Sequence, residues 1–188
     1  LLYTLANRVV EALPAYRVVL ALVDMEAEKV THFISGGDGV NPEDSLTFEQ
    51  LNQGLTGWAL RELKSVRSPM DAPDPREGPE AQKRRVETGC GDVLVTPLRF
   101  RDHILGTMTA LNLADGPRLG EEELELLSAM ANQVAIAIEN ASLFNETRRR
   151  ARESAVLAEV GRDISATLDL NTVMKRISII MLVVILIV

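Results

Sequence analysis

Asp92-Val93-Leu94-Val95-Thr96-Pro97-Leu98-Arg99-Phe100, then Arg101-Asp102-His103, then Ile104-Leu105-Gly106-Thr107-Met108-Thr109-Ala110-Leu111-Asn112-Leu113 decide the fold. Two runs rich in β-branched and aliphatic residues flank a short polar break, which predicts a β-hairpin. The next regular segment opens at residues 120–123. Its acidic first turn suits the positive end of a helix dipole. Leu124, Leu127, Ala131, Val134, Ile138 and Ala141 then step by three, four, three, four and three, the spacing of a helix that buries one face. Leu126, Met130, Ala137 and Phe144 widen that stripe.

Upstream, Leu2, Leu5, Val9 and Leu13 recur at helical spacing, and Pro14 stops the helix. Residues 18–23 read as a buried strand, 25–28 as a turn and 29–35 as a second strand. Gly36, Gly37 and Gly39 are expected to end regular structure there. Residues 48–63 are helical in part, interrupted at Gly54 and Gly57, with Thr56 as the N-cap of a short helix that buries Trp58. Residues 65–68 suit a short strand. Residues 69–79 hold four of the eight prolines and read as a loop. Residues 80–87 suit a helical turn or two. Antiparallel strand pairs between helices indicate an α+β fold, not a doubly wound parallel sheet.

Composition narrows the function. The chain has 188 residues and a formal net charge of −7, which argues against a nucleic-acid partner. The single cysteine, Cys90, excludes an internal disulfide and fits a reducing, cytoplasmic setting. Two histidines, His32 and His103, are few for a metal centre. The start at Leu1 without methionine suggests a piece of a longer protein, and residues 1–13 read as an amphipathic helix, not a signal peptide. The arginines at 148, 149, 150 and 152 carry no breaker and predict a solvated connector helix. A second apolar stripe follows at Val156, Leu157, Val160, Ile164 and Leu168, after which Asp169 and Asn171 look like the caps of a new helix. Residues 177–188 are apolar but short of the ~20 that a membrane helix needs. They read as a core segment of a cut domain, with a clipped membrane anchor as the alternative.

The hairpin and helix together resemble the C-terminal half of a GAF domain. Residues 92–98 match the family strand that ends in Pro-Leu. Ile104-Leu105-Gly106 through Asn112 match the strand after it, and Ala131-Asn132-Gln133-Val134-Ala135-Ile136-Ala137-Ile138-Glu139-Asn140-Ala141-Ser142-Leu143-Phe144 match its last helix. Gly54-Leu55-Thr56-Gly57-Trp58-Ala59 and the Asp71-to-Arg76 loop extend the likeness upstream, so that it covers residues 1–146. Residues 157–173 resemble the lead-in to a following GAF or PAS-type sensor module. This implies a connector over 147–173 and the cut start of that module over 174–188.

The resemblance implies a central antiparallel sheet of five or six strands. Terminal helices would lie on one face, and a pocket roofed by loops and short helices on the other. It implies a bacterial sensory module that binds a small ligand, dimerises, or both, and relays through its last helix to an output domain such as a histidine kinase. No output motif is present, so no enzymatic activity is expected of this piece. Candidate ligand contacts are Trp58, Asp71, Arg76, Cys90 and His32, although Trp58 is favoured as a core anchor. The candidate interface of a parallel homodimer is Leu124, Leu127, Ala131, Val134, Ile138 and Ala141. No cofactor is assigned. The family's cyclic-nucleotide signature is missing, Cys90 has no neighbouring histidine as bilin-binding members do, and haem or a metal lacks ligands. The alternatives are a ligand-free dimerisation module and, more remotely, a cysteine-based redox enzyme without a resolving thiol.

Overall fold

The computed structural model describes residues 2–38 and 45–187, with side chains described outside 166–171 and 181–187. Its elements run α1 (Leu2–Ala12), β1 (Arg17–Asp24), β2 (Lys29–Gly37), α2 (Phe48–Leu51), α3 (Gly54–Glu62), β3 (Val66–Ser68), α4 (Pro79–Thr88), β4 (Cys90–Phe100), β5 (His103–Leu113) and α5 (Glu121–Ile187). The predicted hairpin is β4 and β5, paired antiparallel with Val95 opposite Thr109. The strands form one sheet in the order β2-β1-β5-β4-β3, with each neighbouring pair antiparallel. The α+β class is as predicted.

Alternation along the strands divides the sheet into two faces. Val18, Leu20, Leu94, Leu98, Met108 and Ala110 turn to one side. There they pack with Ala6 and Val9 of α1, with Leu119, and with Leu127, Ala131 and Val134 of α5. The other side carries two smaller clusters under α2 and α3, one around Leu55, Ala59 and Val95, the other around Ala21, Leu51 and Leu60.

This packing corrects the interface assignment. Leu127, Ala131 and Val134 are buried within their own unit, and Leu124 and Ile138 pack against the same core. A three-four stripe marks an apolar face but does not say what covers it. Here the sheet face of Leu20, Leu94 and Met108 would stay wet without that stripe, so the domain core takes it. Leu126 and Ile136 remain 43% and 41% exposed instead. Ala141 is half-buried.

Three local expectations also change. β2 runs on through Gly36 and Gly37, because Gly36 lets α1 lie directly on the strand. A Cβ there would come within 2.8 Å of the Ala6 carbonyl carbon, and the Gly37 amide donates to the Asn7 side chain at 3.1 Å. Gly39 lies outside the described residues. Helix α3 starts at Gly54 after Gln53 and passes through Gly57, where a Cβ would meet the Asn52 carbonyl oxygen. Thr56 is therefore not a cap; its hydroxyl donates to the Leu51 carbonyl at 2.5 Å. Finally, α5 is helical from Glu121 to Ile187 with no break at the arginines, as predicted. It also passes through 169 and 171, where a new helix was expected, since a capping residue acts only where the preceding chain leaves the helix. Arg150–Glu146 and Arg149–Glu153 pair one turn apart at 2.5 and 3.8 Å.

The chain forms two compact units, Leu1–Glu139 and Asn140–Val188. Among the described residues no helix is long and apolar enough to cross a membrane.

Candidate functional site

On the sheet face opposite α1 lies a cavity of about 1050 Å³. Its floor comes from the alternate residues of three strands: Val19 and Ala21 of β1, Val93 and Val95 of β4, Thr107, Thr109 and Leu111 of β5. Its roof is Leu51, Gly54 and Leu55 of the α2–α3 segment, then Glu77, Gly78 and α4. Phe33 and Tyr16 add the aromatic lining.

The roof is tied to the sheet by a buried polar network. Arg85, 7% exposed, reaches Glu77, 5% exposed, at 2.7 Å. The same guanidinium donates to the Ser68 hydroxyl at 3.1 Å, to the Ser68 carbonyl at 2.9 Å and to the Gly91 carbonyl at 2.7 Å. Ser68 in turn donates to Glu77 at 2.8 Å and accepts from the Asp74 amide at 3.0 Å. One arginine thus fastens α4 to β3 and β4. Every N–H direction of its fork is used, which is why lysine would not substitute.

A second hub sits beside it. The Asp92 carboxylate is fully buried and accepts from the Met70 amide at 2.9 Å, the Leu119 amide at 2.9 Å and Arg118 Nε at 2.8 Å. The Asp92 amide donates to the Asn112 side chain. Burial pushes the Asp92 carboxyl up, but the Arg118 hydrogen bonds and the Leu119 and Met70 amides outweigh it and hold the pKa at about 2.

The predicted contacts separate. Cys90 lines the cavity. Trp58 does not; it packs on Leu55, Ala59, Val93 and Val95, and the Arg76 guanidinium lies 4.0 Å from its ring centroid. Arg76 is itself bound to Asp74 through Nε at 2.7 Å and Nη2 at 2.5 Å. The ring face offered to a flat ligand is therefore covered, and Trp58 and Arg76 are withdrawn as cavity contacts. Asp71 is exposed and pairs with Arg118 at 2.9 Å. His32 is exposed on β2, an edge strand, with Thr31 Oγ1 3.3 Å from its ring. Alternation alone gave His32 two possible sides, and the edge position leaves it in solvent. Among the described residues no three His, Cys, Asp or Glu gather as a metal site.

Sequence reasoning missed Glu77, Ser68, Asp92 and the pair Thr107 and Thr109. One signal was available. Thr107 and Thr109 are hydroxyl residues two apart inside an apolar strand, hence on one face.

Cys90 is held as a thiol. Burial pushes its pKa up, while Arg85 and Arg17 pull it down and Glu77 and Asp92 oppose them. Iodoacetamide at pH 7.5 should therefore alkylate Cys90 at least about tenfold more slowly than free cysteine, since the thiolate reacts, and denaturation should restore the rate. A native rate equal to that of free cysteine would contradict this.

The sequence model of the GAF domain matches residues 1–138. Among solved structures, the GAF domain of a phosphoenolpyruvate-protein phosphotransferase from Coxiella burnetii superposes with a TM-score of 0.59 at 20% identity, covering 77% of this chain and 84% of that one. The second GAF domain of DevS from Mycobacterium smegmatis gives 0.55 at 24%, covering 77% and 97%. The GAF domain of a two-component sensor histidine kinase from Bacillus halodurans gives 0.55 at 18%, covering 74% and 94%.

Proposed function

This chain belongs to the GAF domain family, a sensory and regulatory module type of signalling proteins, and from that premise we propose that it is a ligand-binding sensor module. A small molecule occupies the cavity between the sheet and the α2–α4 roof, and the change is passed through α5 to a linked output domain. The observation that carries this reading is the cavity itself. One sheet face is filled by α1 and α5, while the other keeps about 1050 Å³ open beneath a roof whose α4 part is fastened by Arg85. That volume lies at the upper limit of small-molecule sites, which span roughly 300–1,000 Å³.

The output class is proposed as a histidine kinase, after the Bacillus halodurans neighbour. A second copy of the chain is proposed to meet the exposed Leu126 and Ile136 side of α5 in a parallel dimer, replacing the buried stripe as interface. The piece itself is proposed to bind without catalysing a reaction, in a cytoplasmic setting and without nucleic acid.

Native mass spectrometry of the whole chain, followed by a thermal-shift screen of metabolites, tests the binding. A ligand at about 100 times its Kd should add about 2.7 kcal/mol of stability. A bare mass together with no stabilising compound would sink the sensor reading and leave a ligand-free module.

A further inference from the structure

Sheet register places Val95, Thr109, Val19 and Ser35 side by side across β4, β5, β1 and β2. Residues directly opposite one another turn their side chains to the same face, and Val95, Thr109 and Val19 all line the cavity. Ser35 therefore stands on the cavity face, at the β2 end of that row. Phe33, two residues before it on the same strand, lines the cavity as well. Ser35 is only 7% exposed, and its Oγ has no hydrogen-bond partner among the described residues. A buried hydroxyl left unpaired is destabilising. A ligand group that pairs with it removes that penalty.

The charges around the cavity, by contrast, are already engaged. Glu77 and Arg85 close on each other at 2.7 Å, and Ser68 and the Gly91 carbonyl take the rest of the Arg85 fork. Glu80 and Arg84 are opposite in sign, stand one turn apart on α4 and are exposed. Arg17 lies over the Tyr16 ring at 5.8 Å and has a further partner. An entering ion would give up its water on an aliphatic floor and meet no charge free to replace it among the described residues. Cys90 reports the same surroundings. Burial pushes its thiol up, so an anion is disfavoured at that wall in spite of Arg85 and Arg17.

We propose that the cavity takes an uncharged, largely apolar small molecule with one hydroxyl, carbonyl or amide group, its body on Phe33, Val19 and Val95 and its polar group on the Ser35 hydroxyl. A serine hydroxyl both donates and accepts, so any of the three groups can complete it. This rests on the cavity being the ligand site and adds the chemical class of the ligand.

Three ligands on one ring system test it with the whole chain at pH 7. Naphthalene is uncharged, 2-naphthol adds a hydroxyl, and 2-naphthoate is an anion. The naphthol should bind about fivefold more tightly than naphthalene, the net gain from one hydrogen bond, and at least about tenfold more tightly than the naphthoate. Ser35→Ala should remove the first advantage, weakening the naphthol about fivefold and leaving naphthalene unchanged. The same substitution should hold or raise the melting temperature of the free protein, because an unpaired hydroxyl is lost. A purely structural serine would give the opposite, a lower melting temperature with all three affinities shifted together. Naphthoate binding as tight as that of the naphthol overturns the uncharged class and leaves the cavity reading standing. A naphthol affinity unmoved by Ser35→Ala, or a melting temperature that falls, overturns the Ser35 contact and the proposal with it. If none of the three binds, the proposal falls, and the mass-spectrometric test then judges the sensor reading by itself.

Discussion

Arg85→Ala should cost the first unit about 3–5 kcal/mol, the usual result of stranding one partner of a buried ion pair. The side chain it would remove holds Glu77, Ser68 and the Gly91 carbonyl at once. Without it, the Glu77 carboxylate stays 5% exposed with only the Ser68 hydroxyl left to it among those contacts. Urea unfolding at pH 7 measures the loss. Replacing both partners by methionine should cost less than Arg85→Ala alone, because no lone charge is then buried. A loss under about 1 kcal/mol for Arg85→Ala, the range of exposed pairs, would mean that this network does not hold the roof. The same substitution should weaken probe binding in the cavity, since α4 forms one wall.

The strands and the long helix were legible because each carries its own periodicity. Val93 to Phe100 and Ile104 to Leu113 read as a hairpin from side-chain type alone, and α5 reads from the spacing of Leu124 to Ala141. What covers a face was not legible, and the interface stripe went to the sheet for that reason. Nothing in the sequence sets Arg85 apart from its neighbour Arg84. Its burial follows from a fold that brings β3, the loop after it and the start of β4 around it, residues up to 17 positions away in sequence. Trp58 was noticed because it is the lone tryptophan, yet its contact with Arg76 depends on how the 69–78 loop folds back over α3. The cavity itself is a gap between elements, and no residue pattern marks a gap. A pocket on this face was expected from the family resemblance alone, and the hydroxyls of Thr107 and Thr109, out of keeping with their apolar strand, went unread.

Asp92→Asn should lower stability by about 2–4 kcal/mol at pH 7, and the deficit should shrink as the solution is acidified, because a buried acceptor of charged and amide donors is lost. The sign follows from the direction of the shift. The carboxyl titrates at about 2 in the folded protein and near 3.9 in an unfolded chain. The unfolded state therefore binds the proton first on acidification. Its ionised form contributes stability on the order of 2.5 kcal/mol above roughly pH 5, and that contribution disappears between about pH 4 and pH 2. Urea unfolding of the two proteins at pH 7, 4 and 2.5 should show the curves converging in acid. A gap that stays constant over that range would mean the carboxylate charge is not what the site uses. The position of Asp92 gives this test its functional weight. It stands two residues after Cys90 at the cavity wall, and it accepts from Leu119 and Arg118, just ahead of the first turn of α5 at Glu121. It also accepts from Met70 on the loop that carries Asp74 and Glu77 toward the roof. A ligand that moves the roof or the start of β4 acts on these bonds, and through Arg118 and Leu119 they reach the residues just ahead of α5. On that reasoning Asp92→Asn should also reduce any difference in α5 protection, measured by hydrogen exchange, between free and probe-bound protein.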